Sequence, residues 1–110
     1  MSTYYDPQDL PRFAEIGQHA PQLASKFFDY YGAVFAEGEL SAREKSLIAL
    51  AVAHALQCPY CIDAYTQACL DQGSNLAEMT EALHVACAIR GGSALVHGVQ
   101  MRKQAAKVSL

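Results

Sequence analysis

A chain of 110 residues with 52% hydrophobic residues, 17% charged residues and a net charge of −3 has the size of one domain, residues 1–110, with room for a core. An average soluble domain carries about 25% charged residues, so some apolar surface is expected to be buried between subunits. The acidic balance gives no basic face for nucleic acid, no basic cluster opens the chain as a secretory signal would, and the longest apolar run, Leu47–Ala53, is far short of a membrane span. A soluble, cytoplasmic protein is expected.

Met1–Asp9 reads as irregular, followed by a short helix over Leu10–Gln18. Pro21 suits the first position of a helix. That helix runs to Ala36, with Leu23, Phe27, Phe28, Tyr31, Val34 and Phe35 on a broad apolar face. Gly38 is placed to end it. Ser41 and Glu44 form a capping box that opens a helix over Ala42–Gln57. Beyond Ser46 its apolar positions cover nearly the whole circumference, which predicts burial on most sides. Pro59–Gln72 is the next helix, closed by Gly73. Asn75 and Glu78 repeat the capping pattern and open Leu76–Arg90. Gly91-Gly92 breaks or bends the run, and Ser93 starts a last helix to about Lys107. No strand pattern is present, so the fold class is all-α with about six helices.

The informative stretch is the junction after Ala42–Gln57, where Cys58-Pro59-Tyr60-Cys61 follows an apolar helix. With proline favoured at a first helical position, Cys58 becomes the N-cap and Cys61 lies in the first turn on the same face. Unpaired N–H groups and the helix dipole stabilise a thiolate there. Cysteines so placed fall from a pKa of about 8.5 to roughly 3.5–7.5. Two thiols one turn apart can also close a disulfide, one sulfur attacking and the other resolving. Half of a zinc site is the rival reading, with His54 as a third ligand on offer, but no second C-x-x-C or H-x3-H exists. Cys69 and Cys87 read as core residues. His54, one turn before Cys58, is a candidate proton acceptor. Tyr65, one turn after Cys61, could hold a proton or a water, or simply pack. Glu44 is a weaker candidate, because the capping box already accounts for it. His84 and His97 read as structural.

Leu40-Ser41-x-Arg43-Glu44, Leu47–Val52, Cys58-x-x-Cys61 and Gly91-Gly92 before Leu95-Val96-His97 together resemble the carboxymuconolactone decarboxylase superfamily, in its alkylhydroperoxidase D-like branch. The resemblance covers about residues 40–100. Within the branch, Ala53-His54 leading to Cys58-Pro59-Tyr60-Cys61-Ile62-Asp63 is similar to small peroxidase-like members, among them those associated with arsenosugar biosynthesis. The resemblance implies an all-α fold assembled as a homotrimer or homohexamer. It also implies that Cys61 attacks a peroxide or disulfide and that Cys58 resolves it. The family's relay uses a histidine where this chain has Tyr65 and a glutamate where it has Ser46, so His54 and Glu44 are the replacements on offer. An ordinary tyrosine, with a pKa near 10, is a poor base at neutral pH.

The function expected is a thiol-dependent peroxidase or disulfide reductase. Its substrate is a small peroxide or a protein disulfide, its reductant is a dithiol protein, and it needs no cofactor and no metal. The alternatives are a decarboxylase of muconolactone type, which the cysteine pair argues against, and a non-enzymatic oligomer whose cysteines sense redox state or clip a metal.

Overall fold

The computed structural model describes residues 4–108, and every regular element among them is helical. A 3-10 helix at Pro7–Gly17 precedes α1 (Pro21–Phe35), α2 (Ala42–Leu56), α3 (Pro59–Asp71), α4 (Leu76–Val96) and α5 (Gly98–Val108). Both predicted capping boxes are formed, Ser41 with Glu44 and Asn75 with Glu78.

Two boundaries differ from expectation. Of the segment read as irregular, residues 1–3 lie outside the described part, and the chain is already helical from Pro7. The Asp6 carboxylate accepts from the Gln8 N–H and caps that turn, and Pro7 presets its φ. Pro11 inside the element has no N–H to give an α-helical ladder, and the segment winds as 3-10. The second difference is Gly91-Gly92, which neither ends nor restarts a helix: α4 runs through both to Val96. A glycine costs only about 1 kcal/mol against alanine in a helix interior. The flanking Ala86, Ala88, Ile89, Ala94 and Leu95 carry the helix across.

The core is small. Leu50 of α2, Cys69 of α3 and Met79 of α4 form its buried centre, with Leu47 and Tyr65 packed against it. Cys69 is fully buried, and its S–H donates to the Ser46 carbonyl at 3.2 Å. That hydrogen bond ties α3 to α2. Cys87, read as core, is instead exposed: α4 is long, and Met79 and Ala86 are its only buried residues.

Much apolar surface stays uncovered within one chain. α2 buries only Ser46, Leu50 and Ala53, leaving Ile48, Val52 and Leu56 exposed. Burial of α2 on most sides therefore does not occur inside the monomer. Leu95 is 81% exposed, and Val96 and Val99 beside it are also open. The radius of gyration is 19.0 Å, against about 13 Å for a compact chain of this length.

With so few buried side chains, each one counts. Leu50→Ala should lower unfolding free energy by about 2–5 kcal/mol, read as a shift of the urea midpoint. A change within the scatter of surface substitutions would contradict this assignment of the core.

Candidate redox site

α2 and α3 are joined by Gln57 and Cys58 alone. Gln57 adopts the left-handed conformation, φ 55° and ψ 44°, and its N–H returns to the Ala53 and His54 carbonyls. The Cys58 N–H donates to the Ala53 carbonyl at 3.1 Å. The chain thus reverses in two residues, and Cys58 arrives as the N-cap of α3 with Pro59 at its start. The Cys58 sulfur accepts the Cys61 backbone N–H at 3.3 Å, and the two sulfurs are 2.7 Å apart.

This geometry sets the charge. The Cys61 S–H, the Cys61 N–H and the Tyr60 N–H all lower the Cys58 thiol below the ordinary thiol range. Cys61 is pushed up to about 11, first by burial and then by its hydrogen bond to the Cys58 thiolate and that thiolate's charge. Cys58 is therefore the more acidic thiol of the pair, and Cys61 the one that keeps its proton to higher pH.

Two cavities meet at this pair. One, of about 590 Å³, is walled by Val34, Phe35, Ile48 and Val52 and is almost wholly apolar. The other, of about 750 Å³, lies under the N-terminal 3-10 helix, with Asp9, Arg12 and Glu15 on its wall. Cys61, Tyr65 and Tyr31 line both, whereas Cys58 lines only the second. The 3-10 helix is fastened over α3 by crossed contacts. The Tyr5 hydroxyl donates to Asp63 and the Tyr60 hydroxyl to Asp9, each at 2.7 Å, and the Tyr5 and Tyr60 rings meet edge to face.

Of the residues singled out in the sequence, Cys58, Cys61 and Tyr65 come together. Tyr65 stacks on Phe35 with ring centroids 5.4 Å apart. His54 lines neither cavity, and its Nδ1 is 2.9 Å from the Leu50 carbonyl one turn earlier. Glu44 is exposed and engaged in its cap, accepting the Ser41 N–H at 2.9 Å, which holds its carboxyl below the usual range. Ser46, at the position of the family's glutamate, is buried and donates to the Arg43 carbonyl. Tyr31 is the site residue that sequence reasoning missed. Periodicity placed it on an apolar helix face, and only the folding of α1 against the hairpin brings it to Cys61. No three residues among His, Cys, Asp and Glu gather where they could hold a metal ion, among the described residues, and no helix there is long and apolar enough to cross a membrane.

Comparison with known proteins adds a frame to this geometry. The family described as Carboxymuconolactone decarboxylase family matches residues 21–103. A protein of Paracoccus denitrificans described as "Uncharacterized protein 4 in cox locus" is 34% identical over 91 residues, covering 83% of this chain and 82% of that protein. A crystal structure of a protein from Methanobacterium thermoautotrophicum superposes with a TM-score of 0.74 at 35% identity, covering 81% of this chain and 97% of that one.

The charge distribution makes a direct prediction. Cys58 should be alkylated by iodoacetamide with a midpoint below the value of about 8.5 for an ordinary thiol, while Cys61 should resist until the solution is strongly alkaline. Peptide mapping after timed labelling reads both. Equal labelling of the two at neutral pH would contradict the assignment.

Proposed function

The chain belongs to the carboxymuconolactone decarboxylase family, and within it we propose that the chain is a dithiol oxidoreductase, a thiol peroxidase that shuttles Cys58 and Cys61 between dithiol and disulfide. The observation that carries the reading is the pair itself: two sulfurs 2.7 Å apart at a helix start, open to cavities of substrate size.

The steps follow from the geometry. Cys58, the more acidic thiol, stands 2.7 Å from Cys61 and accepts its proton as Cys61, where both cavities open, attacks. The Cys61 sulfur attacks the terminal oxygen of a hydroperoxide. The S–O bond forms as the O–O bond breaks, sulfur losing two electrons to the peroxide, and the alkoxide leaves with a proton as an alcohol. Cys61 is now a sulfenic acid. Cys58 loses its proton again, readily because its thiolate is stabilised, and attacks the Cys61 sulfur. A disulfide forms and hydroxide leaves as water. A dithiol protein returns the pair to the reduced form by exchange, its own thiols becoming a disulfide. Such a cycle suits the reducing cytoplasm. In this scheme Cys58 supplies the proton acceptor that the family draws from its histidine and glutamate.

The exposed apolar faces of α2, α4 and α5 are covered, on this reading, by further copies of the chain in a homotrimer or homohexamer. Light scattering should therefore return a mass several times the 11.9 kDa of the chain, and a monomer at micromolar concentration would refute the assembly.

The roles are tested by serine substitution. Cys61→Ser should abolish peroxide consumption. Cys58→Ser should fail to turn over and, after limiting peroxide, should carry a sulfenic acid at Cys61 that dimedone traps. Sustained turnover by Cys58→Ser at the wild-type rate would remove Cys58 from the cycle.

A further inference from the structure

We propose that Tyr31 is a catalytic residue of this site, its hydroxyl donating the proton to the oxygen that leaves when Cys61 attacks a hydroperoxide. The inference rests on the peroxidase reading and assigns to one side chain a step that reading leaves open. An alkoxide is a poor leaving group, so the O–O bond breaks easily only if a donor stands beside the departing oxygen.

Several observations converge on Tyr31. It lines both cavities together with Cys61. It comes from α1, a different element from the α2–α3 hairpin that carries the thiols, and both elements line the cavity into which Cys61 opens. Its ring is fixed in an aromatic row, 5.8 Å from Phe27 and 4.9 Å from Phe35 between centroids. Its hydroxyl has no hydrogen-bond partner among the described residues. A phenol in a cavity wall with a fixed ring and an unused hydroxyl is a donor awaiting an acceptor.

Its acidity fits donation rather than proton abstraction. Burial, and then the charge of Cys61, raise Tyr31 above the ordinary tyrosine value. It is therefore protonated at neutral pH, yet still far more acidic than an alcohol, so transfer to an alkoxide is downhill. Tyr65 is placed differently: its ring stacks on Phe35 and packs against the core of Leu50, Cys69 and Met79.

The balance is simple. The Cys61 thiolate takes the terminal OH of the hydroperoxide and becomes the sulfenic acid. The electron pair of the O–O bond goes to the oxygen that bears the organic group, which takes the Tyr31 proton and departs as an alcohol. The tyrosinate recovers its proton from water.

The test compares wild type, Tyr31→Phe and Tyr65→Phe, reduced, with three reagents. Cumene hydroperoxide needs a proton on its leaving oxygen. Peracetic acid expels acetate, which needs none. Iodoacetamide has no leaving oxygen, and its labelling of Cys61, read by peptide mapping at alkaline pH, reports thiolate and access alone. Tyr31→Phe should slow oxidation by cumene hydroperoxide about 10²-fold or more and leave the other two rates nearly unchanged, while Tyr65→Phe should do less. An equal loss with all three reagents would make Tyr31 a packing residue, and no loss with cumene hydroperoxide would remove it from the reaction; either overturns the proposal. A wild-type protein inert to both peroxides would overturn the peroxidase reading, and this inference with it.

Discussion

The two-residue reversal between α2 and α3 is the constraint on which the site depends. Gln57 takes the left-handed conformation, unusual for a residue with a side chain, and lets the next residue cap a new helix at once. That residue is a cysteine, and Pro59 starts the helix without wasting an N–H. Capping and the acidity of the first thiol are therefore one arrangement. The Cys61 N–H that would need a cap finds the Cys58 sulfur, that hydrogen bond makes the Cys58 thiol more acidic, and the second sulfur is one turn away. Burial of the turn's partners secures it: Leu50 and Cys69 lock α2 against α3, so the thiols inherit the rigidity of the hairpin.

The rest of the molecule serves that hairpin. α1 lays an aromatic row, Phe27, Tyr31 and Phe35, along one side. Lys45 fastens the end of this helix to α2 by donating to the Val34 and Ala36 carbonyls. The N-terminal 3-10 helix crosses the other side through two tyrosine–carboxylate contacts. α4 completes the core, and Arg43 pairs with its capping Glu78. Its remaining apolar face is left over. A chain of this size with so few buried residues has little margin as a monomer.

The parts of this structure legible in the sequence are those written in local chemistry. The capping boxes at Ser41 and Asn75, the prolines at helix starts and the Cys58 cap all depend on residues within a turn of each other. The parts that were not legible depend on competition or on distance. Gly91-Gly92 reads as a break or a bend by composition, yet two glycines do not end a long run of good helix formers. Cys87 looks like core among alanines, but it lies off the packed face of α4 that buries its neighbour Ala86. His54 lies close to Cys58 in sequence, yet its ring is held by a carbonyl of its own helix and is absent from both cavity walls. Tyr31 is far from the cysteines in sequence, and it reaches them only because α1 packs on the hairpin. Family resemblance pointed to Cys61 as nucleophile but not to which thiol is the more acidic, which follows from the N–H groups aimed at Cys58.

The central claim is that Cys58 and Cys61 act as one redox pair. The reduced protein should be treated with one equivalent of hydroperoxide, quenched with an alkylating agent and mapped by mass spectrometry. The account predicts an intramolecular Cys58–Cys61 disulfide formed in step with the peroxide consumed, with Cys69 and Cys87 still reduced. Oxidation that stops at sulfinic acid on Cys61, or that links chains through the exposed Cys87, would contradict it.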